Sequence, residues 1–252
     1  MKKPLILLVP TLALMAVITL TDADEKHAAW SYSGDTGPAH WGNLDPTYAS
    51  CKTGDQQSPI DISNTVEKEG EPLEFHYTTS QLSLVNNGHT IQQNLDPGSY
   101  VVANGKKFNA LQFHFHHGSE HTVEGEQFAM EMHIVHAADD GELLVVGTLL
   151  ELGDDPNPFL ATFWDKMPAV AHSNLNDASV TLNLADFIPE DVDLYAYKGS
   201  LTTPPGTEGV NWYLFEETRE ISPAQEKVYR NIHPNSFRPT QPLNGRSVAE
   251  WD

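Results

Sequence analysis

Between Gln112 and His116 polar and aromatic residues alternate, and the same period returns over 131–136. A period of two is that of a strand with one face on a core. His114 and His116 therefore point the same way, about 6–7 Å apart along the strand, and Phe113 and Phe115 take the other face. The segment between the two strands is charged and glycine-bearing, and suits a long hairpin connection. Residues 82–86 read as a strand ended by Asn87-Gly88, a turn pair; 89–92 follow it, and 100–103 precede a second such pair, Asn104-Gly105. Residues 142–151 are too rich in Val and Leu for a surface element and are predicted as a central strand. Strands are also predicted over 180–184 and 210–215, and helices over 156–166 and 223–232. Residues 30–41 read as an ordered aromatic cover. The predicted fold class is mainly β: a single domain with a large, mostly antiparallel, twisted central sheet and short peripheral helices.

The start of the chain breaks this pattern. Lys2 and Lys3 precede an apolar run to Leu20, and polar Thr21-Asp22-Ala23-Asp24 follows. That is the layout of a secretory signal peptide over 1–23, with export to the periplasm or beyond. An uncleaved anchor is the alternative, against which Pro4 and Pro10 argue. No second apolar stretch is long enough to span a bilayer, so no membrane contact is expected after cleavage. Residues 24–252 carry no repeat or linker and read as one domain.

Lys and Arg number 14 against 35 Asp and Glu, a formal charge of −21. Such a surface repels nucleic acid and anionic lipid. It fits either a saline setting or a plain solvated acidic face. Cys51 is the lone cysteine, which in an exported chain means a free thiol or an intermolecular bridge, hence a homodimer through Cys51.

Six of the twelve histidines lie between His114 and His136. If the two alternating strands pair antiparallel, His133 faces His114 and His116. Three convergent imidazoles are the ligand set of a catalytic Zn²⁺, which keeps a fourth position for water. Gln112 and Glu131 each precede a histidine by two residues, on that histidine's own face. Ligating imidazoles give their second N–H to such partners. Two strands that each carry a ligand and its orienter are hard to explain by packing.

With these residues in view the chain resembles an α-class carbonic anhydrase over nearly its whole mature length. The resemblance is carried by Trp30-Ser31-Tyr32, Gly37-Pro38 with Trp41, Gln57-Ser58-Pro59-Ile60 and Asn86-Asn87-Gly88-His89. It continues through the histidine strands, Ser119-Glu120-His121-Thr122-Val123, Gly199-Ser200-Leu201-Thr202-Thr203-Pro204-Pro205, Glu208-Gly209-Val210-Asn211-Trp212 and Gln241-Pro242-Leu243-Asn244. It implies reversible hydration of CO₂ to bicarbonate and a proton by zinc-bound hydroxide, with one Zn²⁺ per chain on His114, His116 and His133. It implies that Thr202 accepts a hydrogen bond from the hydroxide and donates to a buried Glu120, and that Thr203 contacts bicarbonate. Val135, Val145, Leu201 and Trp212 correspond to an apolar wall for CO₂. His89 corresponds to the proton shuttle, Tyr32 and Gln92 to residues that order its water chain, and His121 and Glu131 to buried polar support. Prolines 59 and 205 match cis positions.

Two departures stand out. His117 replaces the Trp or small residue of many relatives, and is expected to point away from the metal. Gly206 occupies the place where exported relatives carry a cysteine bonded to the equivalent of Cys51. Three other readings compete with the enzyme. A non-catalytic relative would lack a zinc histidine, and a storage protein would carry loose histidine tracts. A zinc peptidase would need His-Glu-x-x-His on a helix, which is missing here.

Overall fold

The alternating segments become the middle of a 13-stranded sheet in the computed structural model, which describes residues 27–70, 73–189 and 192–251. The expected signal peptide, 1–23, lies outside the described residues. In chain order the strands are β1 (Asp61–Ile62), β2 (Val66–Lys68), β3 (Glu74–His76), β4 (Ser80–Asn86), β5 (Ile91–Asn94), β6 (Tyr100–Ala103), β7 (Lys106–His117), β8 (Thr122–Val123) and β9 (Glu126–Gln127). They continue as β10 (Met130–Ala137), β11 (Leu143–Leu152), β12 (Ser173–Leu182), β13 (Leu194–Ser200), β14 (Glu208–Phe215), β15 (Arg219–Ile221) and β16 (Ala249–Trp251). The α-helices are short: α1 (Trp41–Leu44), α2 (Ser50–Thr53), α3 (Pro158–Ala161) and α4 (Pro223–Ile232).

The main sheet runs β12-β4-β5-β7-β10-β11-β14-β13-β16-β2; β6 pairs with β7, β3 with β6, and β15 with β11. Its pairings are antiparallel except β11 with β14 and β15, and β16 with β2. Register does the positioning. His133 lies opposite His114, and Glu131 opposite His116. Gln92 lies opposite His114 from the other side, Val135 opposite Val145, and Val145 beside Trp212. Residues far apart in the chain thus share one face across five strands, and a one-residue slip would turn every one of them over.

The two faces separate the jobs. Phe113, Phe115, Met132, Ile134, Leu144 and Val146 enter a large core with Phe159, Phe163, Trp164 and Tyr229. Phe115 meets Trp164 edge-on at 5.0 Å; truncating such a ring to Ala costs about 3–5 kcal/mol. Val145, Trp212, Val210 and Ile60 belong to a smaller apolar cluster on the opposite face. The histidines share that face.

Helix α4 keeps its predicted bounds because Ser222 and Gln225 form a capping box and Pro223 takes the first turn. The other helix prediction, 156–166, resolves into α3 and a separate 3₁₀ turn, Trp164–Lys166. Phe159, Leu160, Phe163 and Trp164 are all buried, and Trp164 also donates to the Gln225 carbonyl at 2.7 Å; a straight helix does not satisfy both. The strand predicted over 180–184 is the end of the longer β12. It stops at Leu182 because Asn183 caps a 3₁₀ turn through the Ala185 N–H. Both the Ser58-Pro59 and Pro204-Pro205 bonds are cis. Cys51 is buried. The position a Cβ would take on Gly206 lies 2.7 Å from its sulfur, so the sulfur faces inward, at the site where relatives are expected to close a bridge. A bridge to a second chain would require this packing to open.

His136 gives the fold a pH dependence. It is fully buried beside Tyr77, whose hydroxyl lies 3.0 Å from Nε2. Burial pushes its pKa down to about 4, whereas an imidazole in the unfolded chain titrates near 6.5. Between these values the unfolded chain holds the extra proton. The contribution is therefore complete above pH ~6.5 and lost as pH falls toward ~4, by up to about 3 kcal/mol. In metal-free protein, urea unfolding from pH 7 to 4 should show a steeper loss of stability for the wild type than for His136→Gln; equal slopes would contradict this.

Candidate metal centre

The histidine row puts three imidazoles around one point, with ring centroids 5.1 Å apart for His114 and His116, 5.2 Å for His114 and His133, and 4.7 Å for His116 and His133. One nitrogen of each ring is already committed. His114 Nδ1 lies 2.9 Å from Gln112 Oε1, His116 Nδ1 donates to the Ser236 carbonyl at 2.7 Å, and His133 Nε2 donates to Glu131 Oε1 at 2.7 Å. The acceptors fix the tautomers, so the lone pairs sit on His114 Nε2, His116 Nε2 and His133 Nδ1. Ligand atoms of the three residues lie within 4.8 Å of one another, and the buried His116 Nε2 has no hydrogen-bond partner. Burial pushes all three pKa values down, that of His116 to about 4, so the rings are neutral near pH 7. Three neutral nitrogens with converging lone pairs fit a metal ion and leave one tetrahedral position open.

Behind them lies a fully buried carboxylate. Glu131 Oε1 accepts from His133 and from His121 Nδ1, and Oε2 accepts the N–H groups of Glu120 and His121, the last two at 2.8 Å. Burial alone would raise its pKa, but His121, His133 and their hydrogen bonds hold it well below the usual carboxylate range. The network runs on from His121 Nε2 to Tyr197 Oη at 2.6 Å and to Ser58 Oγ at 2.8 Å. It ends at Ser200, whose N–H donates to Ser58 Oγ, immediately before Leu201 and Thr202.

Glu120 is the second buried carboxylate. Its Oε1 accepts the Arg238 N–H at 2.8 Å, and Oε2 faces His116 Nε2 at 3.4 Å and His133 Nδ1 at 3.9 Å. Burial pushes its pKa up to about 7, against the pull of His133, the Thr202 hydroxyl and the Arg238 N–H. Val135, Val145, Leu201 and Trp212 come together in one apolar cluster, and the Trp212 ring lies 4.8 Å from that of His133. Thr202 is buried and Thr203 half-buried.

Further out, His89 stacks flat on Trp30 at 3.7 Å, and Tyr32 lies edge-on to Trp30 at 5.3 Å and to His116 at 6.5 Å. Burial, and then Glu120, raise the Tyr32 pKa well above 10. Gln92 donates to Asn94 Oδ1 at 2.6 Å. His117 turns away as expected. Its Nε2 lies 2.7 Å from Glu226 and its Nδ1 accepts the Asn235 N–H, both outside the cluster.

Several supporting residues escape sequence reasoning. Arg238, fully buried, donates through its guanidinium to Gln57 Oε1 and to the carbonyls of Ser58 and Cys51, at 2.7–2.9 Å. Ser236 and Tyr197 likewise arrive from distant segments. The only advance sign was Arg238's place just before Pro239 and Gln241-Pro242.

Zinc affinity, read by competition with a chromogenic chelator, should fall about 10–100-fold for Gln112→Ala. The same variant should unfold close to wild-type temperature, because Gln112 is half-buried and holds only one ring. Unchanged affinity would contradict its orienting role.

The sequence matches the eukaryotic-type carbonic anhydrase family over residues 36–251. It is 40% identical to a carbonic anhydrase of Nostoc sp. over 90% of this chain and 88% of that protein. Among solved structures, a hyperthermostable carbonic anhydrase from a hydrothermal vent chimney superposes with a TM-score of 0.85 at 43% identity, covering 89% of this chain and 100% of that one. The α-carbonic anhydrase of Thermovibrio ammonificans, solved with the inhibitor sulfanilamide, gives 0.85 at 41% identity, covering 89% and 99%.

Proposed function

The chain belongs to the eukaryotic-type, or α, carbonic anhydrase family and is a carbonic anhydrase, and we propose that it hydrates CO₂ at a single zinc held by His114, His116 and His133. The observation that carries this is the set of three ring nitrogens, two of them on buried residues, whose lone pairs face one another while every opposite nitrogen is tied down. Zinc bound there supplies an acidified water as nucleophile near neutral pH, an effect for which carbonic anhydrases are the standard example.

The protein's own groups do the rest. Glu120 Oε1 is occupied by the Arg238 N–H, and Oε2 has no partner. That oxygen is left to accept a hydrogen bond from the Thr202 hydroxyl, whose pull on the Glu120 pKa is downward. Thr202 Oγ1 is thereby left as an acceptor, which orients a nucleophile that still carries one proton. Val135, Val145, Leu201 and Trp212 give CO₂, which has no net dipole, an apolar bed without competing hydrogen bonds. Thr203, half-buried beside Thr202, serves the bicarbonate oxygens.

One proton must leave for each CO₂ hydrated, and His89 is the carrier. Burial, and then His172, lower its pKa, so it is neutral and able to accept near pH 7. Tyr32 and Gln92 line the approach between it and the cluster. Export to the periplasm or beyond belongs to the same proposal and rests on the Lys2-Lys3 start and the apolar run after it.

Stopped-flow CO₂ hydration on the zinc-loaded chain tests this. Thr202→Val should lower kcat/KM about 10²-fold with zinc content unchanged. His89→Ala should leave kcat/KM alone, lower kcat about 10-fold in dilute buffer, and recover in concentrated imidazole. Stoichiometric zinc without hydration above the buffer rate would sink the enzyme mechanism.

A further inference from the structure

Two histidines without a role so far gather at the turn that carries His89. Asn86, buried at the end of β4, ties them to it. Its backbone carbonyl accepts the His172 N–H at 2.7 Å. Its side-chain oxygen accepts the Gly88 N–H at 3.0 Å and lies 3.0 Å from His233 Nε2, and its amide donates to the Pro168 carbonyl at 2.9 Å. The 86–89 turn, the loop before β12 and the end of α4 are thus joined at one residue.

Gly88 makes room for the next contact. Its φ is +93°, a region that glycine tolerates, and the place of a Cβ on it lies 3.1 Å from Cε1 and 3.3 Å from Nε2 of the His172 ring. The imidazole of His172 therefore lies against the bare α-carbon next to His89, while His89 stacks on Trp30. His172 is itself solvent-exposed.

The two extra histidines differ in what they can do. Asn86 Oδ1 only accepts, so His233 Nε2 carries the proton of that hydrogen bond. Burial and then His89 push the His233 pKa down to about 4, so it stays neutral near pH 7 and holds the turn. His172 faces water. The titratable groups that bear on His89 and its turn are His172 from the loop before β12, His233 from the end of α4, and Tyr32 through Trp30.

We propose that His172 is a second proton station, which takes the proton that His89 has received and passes it to external buffer. This rests on the reading of His89 as the first carrier. In the step, an N–H bond of the His89 imidazolium breaks and one forms on a neutral His172 nitrogen. His89 returns to neutral, and the His172 imidazolium then loses the same proton to a buffer base. No electrons change hands.

The test is stopped-flow CO₂ hydration by zinc-loaded wild type, His172→Ala, His172→Phe, His89→Ala and the His89→Ala/His172→Ala double variant, each in dilute buffer and in concentrated imidazole. His172→Ala and His172→Phe should each lower kcat about two- to fivefold in dilute buffer, less than loss of His89 because His89 can still meet buffer directly. Their kcat/KM should be unchanged, imidazole should restore kcat, and the double variant should match His89→Ala. Wild-type kcat for His172→Phe would show that only ring packing matters and would overturn the proposal. A fall in kcat/KM, or a further fall in the double variant, would overturn it too. Full kcat for His89→Ala in dilute buffer would instead remove the first carrier, and the second station with it.

Discussion

A carboxylate with no exposure to solvent, Glu131, sets the terms for the centre of this protein. An ionised carboxyl buried in a protein is costly unless its oxygens are fully bonded. Here four N–H donors satisfy it: two imidazoles and two backbone amides. Those bonds fix the tautomer of His133 and bring the 119–121 segment back against β10. They also launch the His121, Tyr197 and Ser58 chain toward the loop of Thr202. Remove the acceptor and a ligand, a turn and the second carboxylate all lose their reference point.

Charge explains why this arrangement fits a cation. Two buried carboxylates, Glu120 and Glu131, share a space with three imidazoles that burial keeps neutral. Glu131 is held charged by its donors, whereas burial, and after it Glu131's charge, push Glu120 up to about 7. A divalent cation on the imidazoles would offset both negative charges and draw Glu120 back to its ionised form. That form would accept the Thr202 hydroxyl's hydrogen bond. Metal binding and orientation of the nucleophile would thus be one electrostatic event, with the Phe113 and Phe115 layer packed into the core on the opposite face.

Much of this was legible in the sequence because a strand's period of two is simple. Gln112, His114 and His116, and Glu131 and His133, declare a shared face on their own, and the observed register sets His133 against His114. The terminal helix was legible from Ser222, Pro223 and Gln225. What escaped reading depends on meetings without any period. Ser236 reaches His116 across 120 residues, and Arg238 reaches Cys51, Gln57 and Ser58 as a buried cation. His172 meets the His89 turn through a glycine that looked like ordinary turn punctuation. The 156–166 helix failed because tertiary packing of Phe163 and Trp164 overrode local propensity. The roles of Thr202 and Glu120 came from family resemblance, since neither stands out by spacing.

The central claim is that three neutral imidazoles, aimed by their outer partners, hold one metal and leave one position open. X-ray absorption on the zinc-loaded chain at neutral pH measures that directly. One zinc per chain is expected, with three nitrogens and one exchangeable oxygen at about 2.0–2.1 Å, and an oxygen shell that changes when a small anion is added. A fourth protein ligand, a sulfur ligand, or six-coordinate zinc indifferent to added anions would contradict it.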